Sequence, residues 1–248
     1  MIFLRSIVYF VLFVVSVLAF GLPLALFGLV TPQAVKDRWS IGWGRTNLWL
    51  QKAVCGLDVQ IEGLEHLRDG PCIVMAKHQS TWETIALRGL LPPSQSWVIK
   101  RELMWIPVFG WAMAMVHPIP IDRSAGRKAA RQVIDRGIEA LQAGRWVVIF
   151  PEGTRVAPGT RGKYGAGGAM LAEHSKFPIV PIAHNAGIYW KRRGITKYPG
   201  TIRMVIGPPM RSEGLKASEI LRRVEGWIED TVATLPGSRD GHPTTASH

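Results

Sequence analysis

The stretch CIVMAKHQSTWE at residues 72–83 decides the fold, because a short apolar run there gives way abruptly to polar residues. Cys72–Ala76 is typical of a buried strand, and the residues from about Ser80 onward predict a helix that follows it. The imidazole of His78 then lies at the end of the strand, and Glu83 lies in the first turn of the helix. This strand-to-helix turn is the first candidate site.

Short apolar runs alternate with helical stretches along the rest of the chain. Further strands are predicted at Trp97–Ile99, Trp146–Phe150, Ile179–Ala183 and Ile202–Ile206, and a helix at Arg127–Ala143. Strands that alternate with helices are typical of an α/β fold. We therefore expect a β-sheet covered by helices.

The N-terminus is strongly apolar, since no charged residue occurs between Arg5 and Lys36. The run Ser6–Val30 is long enough to cross a bilayer, which needs about 20 apolar residues. It is also longer than the ~7–15 residues of a signal-peptide core, and it has no clear cleavage site. Residues 1–35 are thus predicted to be a hydrophobic membrane segment. Pro23 leaves open a straight span or a helical hairpin in one leaflet.

Residues 36–54 are predicted to form an amphipathic helix at the lipid interface. Trp39, Trp43 and Leu50 recur in it at helical spacing among basic residues, and tryptophan beside cations suits the headgroup layer. The alternative is a helix packed on the core. The basic residues that follow the apolar run predict that the rest of the chain lies on the cytoplasmic face of a membrane, as in a bacterial inner membrane: Lys36, Arg38, Arg45 and Lys52.

The composition narrows the classes of partner. Lys and Arg number 30 against 18 Asp and Glu, a formal net charge of +12 among 248 residues. This charge favours an anionic partner, whether phosphate groups, nucleic acid or an acidic lipid surface. Two cysteines, Cys55 and Cys72, are too few for a disulfide framework or a zinc site. A membrane-tethered basic protein without catalytic activity remains one interpretation of these numbers.

His78 and Glu83 have the residue types of an acid–base pair. Glu83 can accept a hydrogen bond from one ring nitrogen while the other faces a substrate, and a neutral imidazole held in this way removes a proton from an alcohol. The alternative is structural. Ser80 and Glu83 also form a Ser-x-x-Glu capping box, in which the carboxylate merely caps the helix.

A second polar turn follows the apolar run that ends at Phe150. Its sequence, Pro151-Glu152-Gly153-Thr154-Arg155, presents one acid and one base. The guanidinium of Arg155 suits a phosphate, the carboxylate of Glu152 suits a substrate hydroxyl, and Gly153 allows close approach of the backbone. The alternative is an internal ion pair between Glu152 and Arg155 that stiffens the turn.

Taken together, these segments resemble the lysophosphatidic acid acyltransferases, also called 1-acyl-sn-glycerol-3-phosphate acyltransferases. The resemblance covers roughly residues 54–209 and lies in ordered blocks: His78-x-x-x-x-Glu83, Lys100-x-x-Leu103-x-x-x-Pro107-x-x-Gly110, Ile121-Asp122-Arg123, Phe150–Arg155 and Val180–Gly187. It implies a mixed β-sheet flanked by helices, with an N-terminal membrane-associated helical segment. The catalytic domain is then residues 55–235, and the polar tail at 236–248 is predicted to be disordered.

The resemblance also assigns roles to residues. It implies His78 as the general base, Glu83 as its orienting acid, and the Val180–Gly187 block near the acyl path. The substrate-binding residues that it implies are Lys100, Arg123, Glu152, Gly153, Thr154 and Arg155. One departure is the acid, which is usually aspartate in this family and is glutamate at position 83. A histidine and a glutamate at this spacing also resemble the lipid A late acyltransferases, but the Phe-Pro-Glu-Gly-Thr-Arg block belongs to the glycerophospholipid branch.

The reaction implied is transfer of a fatty acyl group from an acyl thioester to the sn-2 hydroxyl of lysophosphatidic acid. No metal and no cofactor are expected. The expected partners are lysophosphatidic acid, membrane lipid, and acyl-coenzyme A or acyl-carrier protein as the acyl donor, and no nucleic acid. A different lyso-lipid acceptor remains an alternative.

Overall fold

The computed structural model describes residues 1–67 and 70–237. Most of the tail predicted to be disordered, residues 236–248, lies outside the described residues, so that prediction is untested. The N-terminal helix α1, Ile2–Phe27, runs without interruption through Pro23. Among the described residues it is the one helix that is long and apolar enough to cross a membrane, and only 11% of its most apolar window is buried.

After α1 the chain forms a second helix, and from β1 onward strands alternate with helices. In order, the elements are α2 Gln33–Leu50, β1 Leu57–Glu62, β2 Ile73–Ala76, α3 Trp82–Leu90, β3 Gln95–Lys100, α4 Phe109–Ala114, β4 Ile119–Ile121, α5 Arg127–Gln142, β5 Trp146–Ile149, α6 Gly167–Ser175, β6 Ile179–His184, α7 Ala186–Tyr189, β7 Gly200–Ile206 and α8 Ala217–Thr234. All the strands and helices predicted in the body are present, with shifts of a few residues at their ends.

The strands form one mixed sheet in the order β1-β7-β6-β2-β5-β3-β4. Neighbouring strands are parallel except β6 and β7, which pair antiparallel. The expected fold class, a mixed sheet flanked by helices, is therefore confirmed. Strands β1 and β4, at the two edges, were not predicted from the sequence.

The central strands are covered on both faces. Val74 of β2 and Val148 of β5 pack toward α3, whereas Ile73 and Met75 pack toward α5, α6 and α8. A strand covered on both faces needs consecutive apolar residues, which is why these runs do not alternate with polar ones. Because β2 and β5 are parallel neighbours, the polar segments that follow them emerge at the same edge of the sheet.

Helices α1 and α2 form an antiparallel hairpin that is held by polar contacts. The amide of Asn47, which is fully buried, donates to the hydroxyl of Ser16 at 3.0 Å, and the indole of Trp43 donates to the same hydroxyl at 3.1 Å. Nearer the end of α2, Gln51 donates to the hydroxyl of Tyr9 at 2.8 Å. Because α1 continues through Pro23, the turn of this hairpin lies after Phe27 and not at the proline. The choice between a span and a hairpin in one leaflet stays a prediction.

Helix α2 packs one side against α3 at a crossing of two glycines. A β-carbon on Gly44 would lie 2.5 Å from the backbone nitrogen of Gly89, so the two helices touch backbone to backbone. On other sides of α2, the side chains of Trp39 and Trp49 are 41% and 65% exposed. One face of α2 is therefore packed on the core, and contact of its exposed face with lipid stays a prediction.

Candidate active site

His78 and Glu83 form a direct pair at the carboxyl end of β2. The ring Nδ1 of His78 lies 2.8 Å from Oε1 of Glu83. The same oxygen accepts the backbone N–H groups of Gln79 at 2.8 Å and Ser80 at 2.7 Å. One atom of Glu83 thus makes the contacts expected from both interpretations, to the imidazole and to the backbone at the start of α3. Its catalytic role stays a prediction.

The contacts of Glu83 favour its ionised form. Burial by itself raises the pKa of this carboxyl group, but the nearby His184, the hydrogen bond from His78 and the bonds from the backbone outweigh it, and the pKa is lowered. A carboxylate on Nδ1 fixes the tautomer in which Nδ1 carries the proton. The other nitrogen, Nε2, has no hydrogen-bond partner in the described residues, and it is free to accept a proton.

A second, buried histidine lies next to this pair. His184 is fully buried; its Nε2 lies 2.8 Å from the carbonyl oxygen of Lys77 and 4.0 Å from Oε2 of Glu83, and its Nδ1 accepts the N–H of Ala186. Burial lowers the pKa of this imidazole. A neutral ring with both nitrogens engaged fits a structural role for His184.

The segment after β5 holds His78 in three ways. The ring of Phe150 stacks on the imidazole, with ring centroids 4.2 Å apart and planes 16° from parallel. The carboxylate of Glu152 accepts the backbone N–H of His78 at 3.2 Å, and the N–H of Val156 donates to the His78 carbonyl at 2.8 Å. The ring and both backbone polar groups of His78 are thus fixed by one neighbouring segment.

Glu152 lies beneath the turn and faces inward. Its side chain is fully buried and lies 3.4 Å from the ammonium of Lys77, and burial raises the pKa of its carboxyl group against the opposing effect of that cation. The alternative ion pair with Arg155 is wrong, because Arg155 turns outward and donates to the carbonyl of Arg192 at 2.9 Å. A substrate contact for Glu152 stays a prediction, and the contacts present are internal.

The outer face of the turn is strongly basic. Arg123 donates to the carbonyl of Gly153, a glycine with a φ of +66°, and Arg192 donates to the hydroxyl of Thr154 at 3.2 Å. Arg123, Arg155 and Arg192 form no salt bridge with a carboxylate in the described parts of the chain. Three guanidinium groups beside one turn suit a phosphate. Arg192 was not among the residues predicted for this site, because its place at the turn depends on tertiary contacts.

The remaining predicted residues lie at the margin. Lys100 ends β3, and its exposed ammonium pairs with Glu102 at 3.2 Å and forms no bond to the turn at 152–155. The Val180–Gly187 block packs on the loop of the base, where the N–H of Gly187 donates to the side-chain oxygen of Gln79 at 3.2 Å. The roles that the resemblance implies for both stay predictions.

Comparisons with known proteins indicate one family. Residues 58–185 match the family described as Acyltransferase. The chain is 41% identical to the 1-acyl-sn-glycerol-3-phosphate acyltransferase of Pseudomonas aeruginosa, and the alignment covers 97% of this chain and 95% of that protein. This chain belongs to that acyltransferase family. It is also 30% identical to the 1-acyl-sn-glycerol-3-phosphate acyltransferase of Saccharomyces cerevisiae, over 79% of this chain and 67% of that protein.

The fold of this acyltransferase is found in a solved structure as well. The 1-acyl-sn-glycerophosphate acyltransferase PlsC from Thermotoga maritima aligns over 94% of this chain and 96% of its own, with a TM-score of 0.76 and 22% sequence identity. The resemblance recognised in the ordered sequence blocks is confirmed, and the chain is an acyltransferase of phospholipid synthesis. Its apolar N-terminal helix is consistent with association with a membrane.

Proposed function

We propose that this acyltransferase moves a fatty acyl group from an acyl thioester to the sn-2 hydroxyl of lysophosphatidic acid, giving phosphatidic acid. The observation that carries the proposal is a single edge of the sheet. There, His78 packs on the segment after β5, and Arg123, Arg155 and Arg192 lie on the outer face of the same segment. A base beside three guanidinium groups suits an acceptor with both a hydroxyl and a phosphate.

The proposed reaction needs one base and no cofactor. Nε2 of His78 takes the proton of the sn-2 hydroxyl as its oxygen attacks the thioester carbonyl carbon. Glu83 stabilises the imidazolium that forms. When the tetrahedral intermediate collapses, the carbon–sulfur bond breaks, the electron pair leaves with sulfur, and the imidazolium returns the proton to the thiolate.

The phosphate of the acceptor is held by the basic face of the turn. Arg155 and Arg123 supply planar guanidinium groups for the phosphate oxygens, and Arg192 adds a third. The N–H and hydroxyl of Thr154 and the open space beside Gly153 complete the cradle. Lys100 supplies a cation for the acceptor or for the acyl donor.

The donor is an acyl thioester of coenzyme A or of acyl-carrier protein, and both carriers are acidic. The net charge of +12 favours either of them at the enzyme surface. The acceptor and product are lipids, and the apolar helix α1 supports a membrane as the place of reaction. The basic residues that follow α1 support the cytoplasmic face of a bacterial inner membrane.

The test is formation of phosphatidic acid by the detergent-solubilised enzyme. Lysophosphatidic acid is supplied with acyl-coenzyme A or acyl-carrier protein, and other lyso-lipids serve as a panel. Product from wild type and from His174→Ala, with none from folded His78→Ala, supports the proposal. His174 is the matched control because it lies on the surface of α6, and among the described residues it forms a hydrogen bond with the carbonyl of Met170 alone. Full activity of His78→Ala would refute the mechanism, and preference for another lyso-lipid would refute the acceptor.

A further inference from the structure

A buried group of ionisable side chains lies behind the catalytic base and has no part in the steps above. Lys77, immediately before His78, is fully buried. Its ammonium lies 2.6 Å from Oε1 of Glu229 on α8 and 3.4 Å from Oε1 of Glu152. The hydroxyl of Tyr164 donates to the same oxygen of Glu229 at 2.8 Å. We call Lys77, Glu152, Glu229 and Tyr164 the buried network.

Stability alone explains such a network poorly. Charges lose their hydration when they are buried, and an apolar cluster of similar volume is often as stable as a buried ion pair or more so. The side chain of Lys77 is 1% exposed, that of Glu152 is fully buried, and that of Glu229 is 13% exposed. What an ion pair adds over apolar packing is direction, because its hydrogen bonds fix particular atoms.

The contacts of the buried network end at the backbone of His78. Glu229 and Lys77 form the shortest contact of the network, Lys77 reaches Glu152, and Glu152 accepts the backbone N–H of His78. Lys77 is also joined to His78 by the peptide bond. The C-terminal helix α8 is thereby connected to the base across 152 residues of sequence.

We infer that Lys77 and Glu229 are positioning residues for acyl transfer, which hold Glu152 against the backbone of His78 and so fix the direction of its imidazole. The inference rests on the proposed function. Small displacements of a catalytic group, on the order of 1 Å, cost about 100-fold in rate. Because Lys77 and Glu229 do not line the basic face of the turn, their loss lowers kcat and leaves KM for both substrates within about threefold.

The central variant is Glu229→Gln, and its matched control is Glu225→Gln. Glu225 lies one turn earlier on the same helix and pairs with exposed Arg161 at 2.9 Å, so the control removes the same charge from the same helix outside the network. Both variants are purified in detergent. For each, kcat and KM for lysophosphatidic acid and acyl-coenzyme A are measured together with the thermal unfolding midpoint.

A loss of about 10-fold or more in kcat for Glu229→Gln, with KM and the unfolding midpoint near wild type and Glu225→Gln unchanged, supports the inference. Wild-type kcat in folded Glu229→Gln, or an equal loss in both variants, overturns it. If Glu229→Gln does not fold, Tyr164→Phe removes a single hydroxyl from the same carboxylate and is judged by the same criteria. Failure of the wild type with lysophosphatidic acid overturns the proposed function instead.

A double variant separates a connected network from two independent effects. If Lys77 and Glu229 act through one contact, Lys77→Met combined with Glu229→Gln loses no more kcat than the worse single variant. A loss of kcat in the double variant equal to the product of the two single fold-losses would show independent effects and overturn the connection.

Discussion

A single carboxylate oxygen organises the base. Oε1 of Glu83 accepts the imidazole of His78 and two backbone N–H groups, all within 2.8 Å. Glutamate is longer than the aspartate usual in this family. The longer side chain is accommodated because the backbone N–H groups of the loop between His78 and Glu83 point at its carboxylate. The group that caps the helix is therefore also the group that we propose as the partner of the base.

Glu83→Gln is expected to lower kcat by about 100-fold or more, because a neutral amide neither stabilises the imidazolium nor enforces the tautomer with Nδ1 protonated. The measurement is phosphatidic acid formation at saturating substrates, with circular dichroism to verify folding. A folded variant with most of its wild-type rate would show that Glu83 acts chiefly as a helix cap.

Arg192→Ala is expected to raise KM for lysophosphatidic acid about 10-fold with a smaller change in kcat, since we propose that its guanidinium binds the substrate phosphate and not the reacting carbonyl. Initial rates over a range of lyso-lipid concentrations measure both constants. Arg211→Ala removes another exposed arginine as a control. Equal kinetics for the two variants would exclude Arg192 from the phosphate site.

The free energy of unfolding is expected to fall as the pH drops below about 6.5. Burial lowers the pKa of His184 from its usual 6.5, so the unfolded chain takes up a proton in this range while the folded chain does not. The stabilising effect is full above the unfolded pKa and is lost as the pH falls toward the folded pKa. Denaturant titrations at several pH values between 7.5 and about 5 measure the free energy of unfolding, which should depend less steeply on pH in His184→Gln. An unchanged pH dependence in this variant would remove His184 as the cause.

The structure assigns site residues that the sequence could not join. His78, Glu83 and the turn at 152–155 were identifiable because each follows a buried strand within a short motif. Arg192 and Glu229 belong to no such motif, and their partners are 37 or more residues away along the chain. Such contacts depend on how loops and helices cross, which local periodicity does not encode.

Among the elements, the sequence revealed the strands at the centre of the sheet and missed those at its edges. Strand β1 is only partly buried and carries Asp58 and Gln60 between its apolar residues, so it is not an apolar run. Strand β4 has three residues, including Pro120, a residue tolerated at sheet edges. Continuous apolar runs therefore report coverage on both faces, and edge strands lack that signal.

The crossing of α2 and α3 is expected to be intolerant of any side chain. In Gly44→Ala the new methyl would meet backbone atoms of Gly89 and the carbonyl of Ile85 within 3.0 Å, which should destabilise the fold by about 1–3 kcal/mol. Thermal unfolding in detergent measures the loss.

The control is Gly226→Ala, in the interior of α8, where nothing lies within 4 Å of the new methyl. Alanine there should stabilise the helix by about 0.5–1 kcal/mol. The opposite signs of the two glycine substitutions are the diagnostic result, and equal effects would mean that the helices separate without cost.

For the whole molecule, the tip of the helical hairpin is the strongest candidate for contact with lipid. Leu29 and Val30 are 86% and 83% exposed, and residues of α1 just before them are exposed and apolar as well. The double variant Leu29→Glu/Val30→Glu is expected to weaken binding to vesicles of anionic phospholipid, because charge at this depth is costly.

Flotation of the protein with such vesicles measures the loss, and Leu64→Glu is the control. Leu64 is also exposed, at 47%, but it lies beside β1 in the catalytic body. Equal flotation of both variants would exclude the tip as the membrane contact.

Helix α3 joins the hairpin to the catalytic acid without a flexible joint. Glu83 occupies its first turn, and Gly89 near its other end touches Gly44 of α2. At a rise of 1.5 Å per residue, roughly 9 Å separates the two points along the helix axis. The distance between the base and the hairpin is consequently set by one short helix. On the proposed function, with the hairpin in a membrane, that distance would fix the depth at which a lyso-lipid must present its free hydroxyl.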